Sequence, residues 1–328
     1  MLILNKDVLL PKYLRLAKRT ATILCLTFCV TQASFAQIST EQAYTGKKLF
    51  VTAIAVDSAV CGPRDKPCRS ISQAIENANE GDHIFVGPGY YGDINMDGDF
   101  DDPGDEKAQL GFGCHCIILI NKSLTLTSIV DAKTTLLDAN DAVANVVAIT
   151  ADKVRLGKIR HGFTLTGARS ASNKHGAGLK IEGRYSQIYG NIASYNEGVG
   201  FDISGDNHQI RENYSRKNGH GFIFAHTQTG HGIEDNIASN NGIKTGFGHG
   251  FLILGNGYTV TSNMANGNQG NGFIINSYNN ADNKKQFSFS GNTSIGNTGQ
   301  GVFKFSGANT TNFKNNIFGN LNKENIFQ

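Results

Sequence analysis

The chain has 328 residues, with 39 glycines, 5 prolines and no tryptophan, a composition suited to many tight turns between short strands rather than to disorder. Its net charge of +3 is local. Lys6, Lys12, Arg15, Lys18 and Arg19 against Asp7 put +4 into residues 1–36 and leave the rest near −1, which excludes a basic field for nucleic acid.

Those basic residues precede an apolar run from Ala21 to Val30, and Ser34-Phe35-Ala36 ends in small residues. Residues 1–36 therefore read as an export signal, with secreted, periplasmic or cell-surface localisation expected. An uncleaved anchor is the alternative, but the run is shorter than the roughly 20 residues a span needs, so no transmembrane segment is expected in the mature chain. Cys61, Cys68, Cys114 and Cys116 remain, and an even number in an exported chain reads as two disulfides. Three connectivities are open. A bridge inside Cys114-His115-Cys116 closes a very small ring, which makes cross-pairing of the two clusters attractive, and a metal site that adds His115 is the rival reading.

Residues 37–112 read as an N-terminal module. Alternation from Phe50 to Val56 suggests a strand, and Ser70 suits the cap of a helix that sets Ile71, Ala74, Ile75 and Ala78 on one face. His83 to Val86 begins the next strand. The run from Pro67 through Arg69-Ser70-Ile71-Ser72-Gln73-Ala74-Ile75 to Gly81-Asp82-His83-Ile84 and Gly87-Pro88-Gly89-Tyr90 resembles the first turn of the pectate-lyase-like superfamily. The resemblance implies an all-β, single-stranded right-handed parallel β-helix with an N-terminal capping α-helix.

From Asp93 to Asp105 oxygen-bearing side chains alternate around Gly98, a pattern similar to the calcium loops of EF-hand and dockerin modules. The resemblance implies calcium held by Asp93, Asn95, Asp97 and Asp101 with the Asp99 carbonyl. Gly104 stands where those loops carry Glu, so Asp105 or Asp102 must complete the shell. A solvated acidic loop is the alternative, and a bound ion here would be a structural clamp.

Residues 113–328 carry the repeats. Gly-x-Gly followed by an apolar residue recurs at Gly176, Gly198, Gly219, Gly248, Gly270 and Gly299, at intervals of about 22 residues with two of about 29, the mark of a solenoid. No long helix follows these glycines, so they are not a nucleotide loop. Period two turns Leu179/Ile181, Phe201/Ile203, Phe222/Phe224, Phe251/Ile253 and Phe273/Ile275 inward. Arg160-His161-Gly162-Phe163-Thr164-Leu165 resembles a phrase of the same superfamily, in which Phe and Leu point into the core. An apolar residue with Asn three places on recurs at Asn191, Asn213, Asn236, Asn263, Asn292 and Asn316, with a second Asn at 196, 218, 241, 268 and 297; these read as stacked ladders. Insertions fall at 242–247 and about 277–285, the last coil is irregular, and the total is about eight coils.

The outward row reads Lys180/Glu182, Asp202/Ser204, Ile223/Ala225, Leu252/Leu254 and Ile274/Asn276. In the superfamily such a face holds extended polysaccharide, and its lyases use Lys or Arg to remove the proton beside a uronate carboxylate that another cation neutralises. Carried to this chain, the resemblance implies Lys180 with Arg211, the latter expected on the neighbouring strand row. Asp202 is a candidate hydrolytic carboxylate without the adjacent Asp partner of the family's hydrolases. His220 and His249 share the x slot of consecutive repeats, near His226 and His231, and can bind metal, act as acid and base, or simply fill a polar corner. The resulting expectation is an exported polysaccharide-active protein, lyase- or epimerase-like on uronate-containing glycans. The alternative is a non-catalytic glycan-binding or surface-scaffold protein.

Overall fold

The computed structural model describes residues 46–107, 114–141, 145–170, 176–224, 230–276, 287–305 and 310–321. The export signal, His226, Ala225, the second insertion near 277–285, the chain's last residues and the boundary between the two modules at 112/113 lie outside the described residues.

Short strands of two to five residues alternate around three corners, and each pairs in parallel with its counterpart one repeat later. They form sheets of ten, eight and nine strands, so the chain is all-β and winds as a parallel β-helix. The strands that follow Gly-x-Gly, such as Ala177–Ile181, Val199–Ile203 and His220–Phe224, belong to the eight-stranded sheet. Their registers align the inward residues as expected, Leu179 with Phe201 and Phe201 with Phe222. Phe201, Phe222, Phe251 and Phe273 stack ring on ring at 4.6–4.8 Å, nearly parallel and fully buried. That spacing is the distance between strands, so in-register backbone pairing sets the ring stack.

Two asparagine ladders run along the axis. Asn236 Oδ1 accepts the backbone N–H of Asn213 at 3.0 Å, and its Nδ2 donates to the Ile210 carbonyl at 2.7 Å. The same pattern repeats through Asn191, Asn213, Asn263 and Asn292. In the last repeat the slot belongs to Asn315, which accepts from Asn292 N–H at 2.9 Å, rather than to Asn316. The register of this repeat is displaced by one residue, since Phe289 pairs with Asn312. The second ladder likewise extends past Asn297 to Asn320.

In five of the six Gly-x-Gly repeats the second glycine makes room for this ladder. A Cβ on Gly178 would lie 2.8 Å from Asn196 Nδ2 and 2.8 Å from the Gly200 carbonyl, and one on Gly250 3.0 Å from Asn268 Nδ2. Lack of space, not a special backbone angle, excludes a side chain there.

At the N-terminal end the first strand spans Lys48–Val51 and stops short of the expected Val56, leaving Ile54 exposed. Its partner His83–Val86 offers four residues, and Val51 makes the last pair. The helix Ile71–Asn77 buries Ile71, Ala74 and Ile75 against the same core. Its first N–H groups are all met: Ser70 N–H by Asp57, Ile71 and Ser72 N–H by the two oxygens of Glu106, Gln73 N–H by Ser70 Oγ. Complete burial raises the Glu106 carboxyl to about 7. The disulfides join Cys61 to Cys68 and Cys114 to Cys116, with Cα atoms 4.9 and 5.2 Å apart, so cross-pairing is not adopted. His115 takes a left-handed backbone, φ 42°, which brings its neighbours together, and the bonded sulfurs are not available as thiolate ligands.

Replacing Asn236 by Ala leaves the Asn213 N–H without a partner in a buried place and removes one of the bonds to the Ile210 carbonyl, so a loss of about 1–3 kcal/mol is expected. Asn316→Ala, outside the ladder, should be neutral. Urea denaturation of both variants checks this, and equal stabilities would contradict the ladder's role.

Candidate functional site

The outward face of the eight-stranded sheet carries one continuous row. Lys180 pairs in register with Asp202, Asp202 with Ile223, Ile223 with Leu252, Leu252 with Ile274 and Ile274 with Phe303. Neighbours in such a row stand about 4.8 Å apart, set by the strands. The Lys180 ammonium lies 2.6 Å from Glu182 Oε1, two residues on along the same edge of the sheet. One Lys and two carboxylates thus share the first part of the face, Glu182 in contact with Lys180 and Asp202 one strand away. The later part is apolar, with Ile274 buried and Ile223, Leu252 and Leu254 half-buried.

Arg211 does not join this group. Its strand, Gln209–Arg211, belongs to the ten-stranded sheet, past a corner from the strand that bears Asp202. There its guanidinium lies 3.4 Å from Asp235, 3.7 Å from Glu234 and 3.9 Å from Glu212. Lys180 and Arg211 therefore sit on different sheets, because the turn between them redirects the chain.

His220 and His249 stack as their shared slot predicts, with ring centroids 5.5 Å apart, and Phe247 meets both rings edge-on. Each Nδ1 is an acceptor in the fold: His220 Nδ1 accepts from His249 N–H at 3.2 Å, and His249 Nδ1 from Asn271 N–H at 3.0 Å. The pair behaves as a corner ladder like that of the asparagines, with the Nδ1 atoms already occupied and not open to a metal.

A second histidine stack lies beneath the surface. His208 and His231 lie parallel at 5.1 Å, fully buried, and His231 stacks on Tyr258 at 4.8 Å. Ser186 N–H donates to His208 Nδ1 at 3.0 Å and His208 N–H to His231 Nδ1 at 3.1 Å. The signal was present in the sequence, since His208 and His231 each stand two places before an inward Ile, Ile210 and Ile233.

In the acidic loop Gly98 adopts φ +96°, the turn that the calcium-loop pattern requires. Asp93 is buried and accepts from the N–H groups of Met96 and Gly98 at 2.7 and 2.8 Å, and these bonds hold its carboxyl below the ordinary range in spite of burial. Asp105 accepts from Ile94 N–H at 2.8 Å. These two carboxylates brace the loop, whereas Asp97, Asp99 and Asp102 converge at its exposed surface with oxygens within 4.8 Å of one another. Asn95 Nδ2 bonds to Asp97 and Asp102. Asp101 hydrogen-bonds Asp99, which raises its carboxyl, and the other acids nearby add to the effect.

No family model matches the chain, and no curated protein matches it in sequence. Three solved structures wind in a similar way. A rhamnogalacturonan lyase has 17% identity and a TM-score of 0.49, over 80% of this chain and 63% of that one. Pectin methylesterase PemA from Erwinia chrysanthemi has 10% identity and a TM-score of 0.47, over 83% and 93%. Pectate lyase Pel9A has 18% identity and a TM-score of 0.47, over 84% and 78%. The chain spans 63% of the length of the first. The chain's own three parallel sheets make it a parallel β-helix.

The buried histidines give the fold a pH dependence. Burial holds His231 down at about 3 and His249 at about 4, with the neighbouring histidine adding to each. An unfolded histidine titrates near 6.5, so between about pH 6.5 and 4 the unfolded chain binds protons that the folded chain refuses, and their contribution is lost as pH falls through that window. Glu106, held up at about 7 from 4.5, acts in the opposite sense, its contribution being lost as pH rises between those values. His231→Asn should therefore flatten the fall in stability from pH 6.5 to 4 relative to the parent in urea titrations. An unchanged slope would contradict this assignment.

Proposed function

We propose that this is an exported protein that acts on acidic, uronate-containing polysaccharide at the outward face of the eight-stranded sheet. In this reading the helix is wound right-handed, as parallel crossovers are, and the helix Ile71–Asn77 closes its N-terminal end. The observation that carries the reading is the registered pair Lys180–Asp202, one strand apart on that face. A uronate carboxylate beside the Lys180 ammonium is neutralised, which makes the adjacent C–H more acidic. Asp202 takes that proton, the electron pair of the C–H bond forms the double bond as the neighbouring C–O bond breaks, and the leaving oxygen takes a proton from water, which leaves an unsaturated uronate. Return of the proton to the opposite face of the sugar gives the epimerase-like outcome.

Binding without turnover is the second reading. The 2.6 Å contact of Lys180 with Glu182 favours it, since an ammonium that shares its charge with a carboxylate of the protein neutralises a uronate less fully and acidifies its C–H less. Calcium suits the acidic loop as a clamp away from this face. The donors are hard carboxylate oxygens, and atoms on opposite sides of a calcium ion with bonds of about 2.3–2.6 Å lie about 5 Å apart, close to the spread of Asp97, Asp99 and Asp102.

Incubated with a panel of acidic polysaccharides and calcium, the mature protein should generate the ultraviolet absorbance of unsaturated uronate or an altered sugar composition, and Lys180→Ala should abolish it. Retention on one of those polysaccharides with no turnover would select the binding reading. A panel neither bound nor changed would sink both. Separately, millimolar calcium should raise Tm, and the Asp99→Ala/Asp102→Ala double variant should lose that rise; equal shifts in parent and variant would exclude the loop as the site.

A further inference from the structure

A cavity of about 620 Å³ opens where strands of the nine-stranded sheet end and the chain turns towards the eight-stranded sheet. Its volume falls within the range of small-molecule sites, about 300–1,000 Å³. Asp138, the last residue of the strand Thr135–Asp138, and Asp141 contribute carboxylates. Tyr195, Lys217, Ile243 and Lys244 contribute an aromatic face, an aliphatic side chain and two ammonium groups. Lys217 Nζ donates to Tyr195 Oη at 3.0 Å and lies 5.1 Å from the centre of its ring, and Lys244 Nζ lies 3.2 Å from Glu197.

The backbone at this place is costly for side chains. The residue after seven of the nine strands of this sheet is left-handed, and in five of these repeats it is Gly or Asn: Gly167, Asn240, Gly267, Gly296 and Gly319, at φ 53–77°. In two of the repeats that border the cavity the same slot holds Tyr195 and Lys217, at φ 59° and 55°, while Gly167 holds it in a third. Within this column a bulky side chain in the left-handed corner is the exception, and both exceptions line the cavity.

We propose that this cavity binds a carboxylated sugar unit, a uronate. The apolar face of the sugar lies on Tyr195 and Ile243, its hydroxyls donate to Asp138 and Asp141, and its carboxylate meets the ammonium groups of Lys217 and Lys244. The mixture of charges selects this class. A phosphate or nucleotide would face two carboxylates, and a neutral sugar would leave both ammonium groups without a new partner. The site is separate from the Lys180 face and needs no turnover there.

Calorimetric titration of the full-length Lys180→Ala variant with a galacturonate tetramer tests the cavity whatever the outcome at the other face. Saturable binding is expected, weakened about tenfold or more by adding Tyr195→Gly or Lys217→Asn. Both replacements suit the left-handed slot, so Tm should not fall. A galactose tetramer should bind at least tenfold more weakly than the acid. Absence of galacturonate binding, affinity unchanged by both replacements, or equal binding of the neutral tetramer would each overturn the proposal.

Discussion

Every coil of this protein hands its polar groups to the next one, and the fold depends on that transfer. Strand N–H and C=O groups pair along the axis, and some corner groups continue that pairing, as Glu212 N–H does with the Glu234 carbonyl, but the N–H at the asparagine corner needs another acceptor. The asparagine side chains supply it: each Oδ1 takes the N–H of the residue one coil earlier, and each Nδ2 gives to a carbonyl, as with Asn213, Asn236 and Asn263. The repeated glycine and the repeated asparagine are one device. Asn196 and Asn268 fill the space that a Cβ on Gly178 or Gly250 would need. Buried backbone that would otherwise lack partners is thereby satisfied without a closed barrel.

The same regularity restricts where chemistry can sit. A side chain in a repeating slot is drawn into the axial bonding of that slot, as His220, His249, His208 and His231 all are. Residues with groups to offer a ligand lie where the repetition is broken. On the eight-stranded sheet the outward row changes from charged to apolar after Asp202. At the corner of the nine-stranded sheet two side chains replace Gly or Asn. Both places combine cations with carboxylates, a composition that recognises an acidic, hydroxyl-rich ligand better than it recognises a purely anionic one.

The N-terminal region is held by different means. Asp57 and Glu106, distant in sequence from the helix, receive its first N–H groups, and the two disulfides close short local rings. The acidic loop is fixed to the solenoid through Asp93, which accepts from Asn140 Nδ2 at 3.2 Å, and Asn140 in turn lines the cavity beside Asp138. Loop, corner and cavity therefore share a bonded connection.

Much of this was legible in the sequence because a solenoid makes three-dimensional neighbours out of residues at a fixed separation. The period of about 22 residues with the alternation of two was enough to place Phe201, Phe222, Phe251 and Phe273 in one stack and to align five asparagines. It failed where the period slips: the last repeat is displaced by one residue, so Asn315 and not Asn316 enters the ladder. Candidate chemistry was legible only as residue types. Sequence spacing kept Lys180 beside Asp202, since in-register strands repeat it, but could not show that a corner carries Arg211 to another sheet among three acids. Nor could it give the disulfide pairing, or bring Asp138 and Asp141 into one cavity with Tyr195, Lys217 and Lys244. Periodicity records what is repeated, whereas pairing across loops and convergence at corners depend on backbone direction, which only the tertiary structure decided.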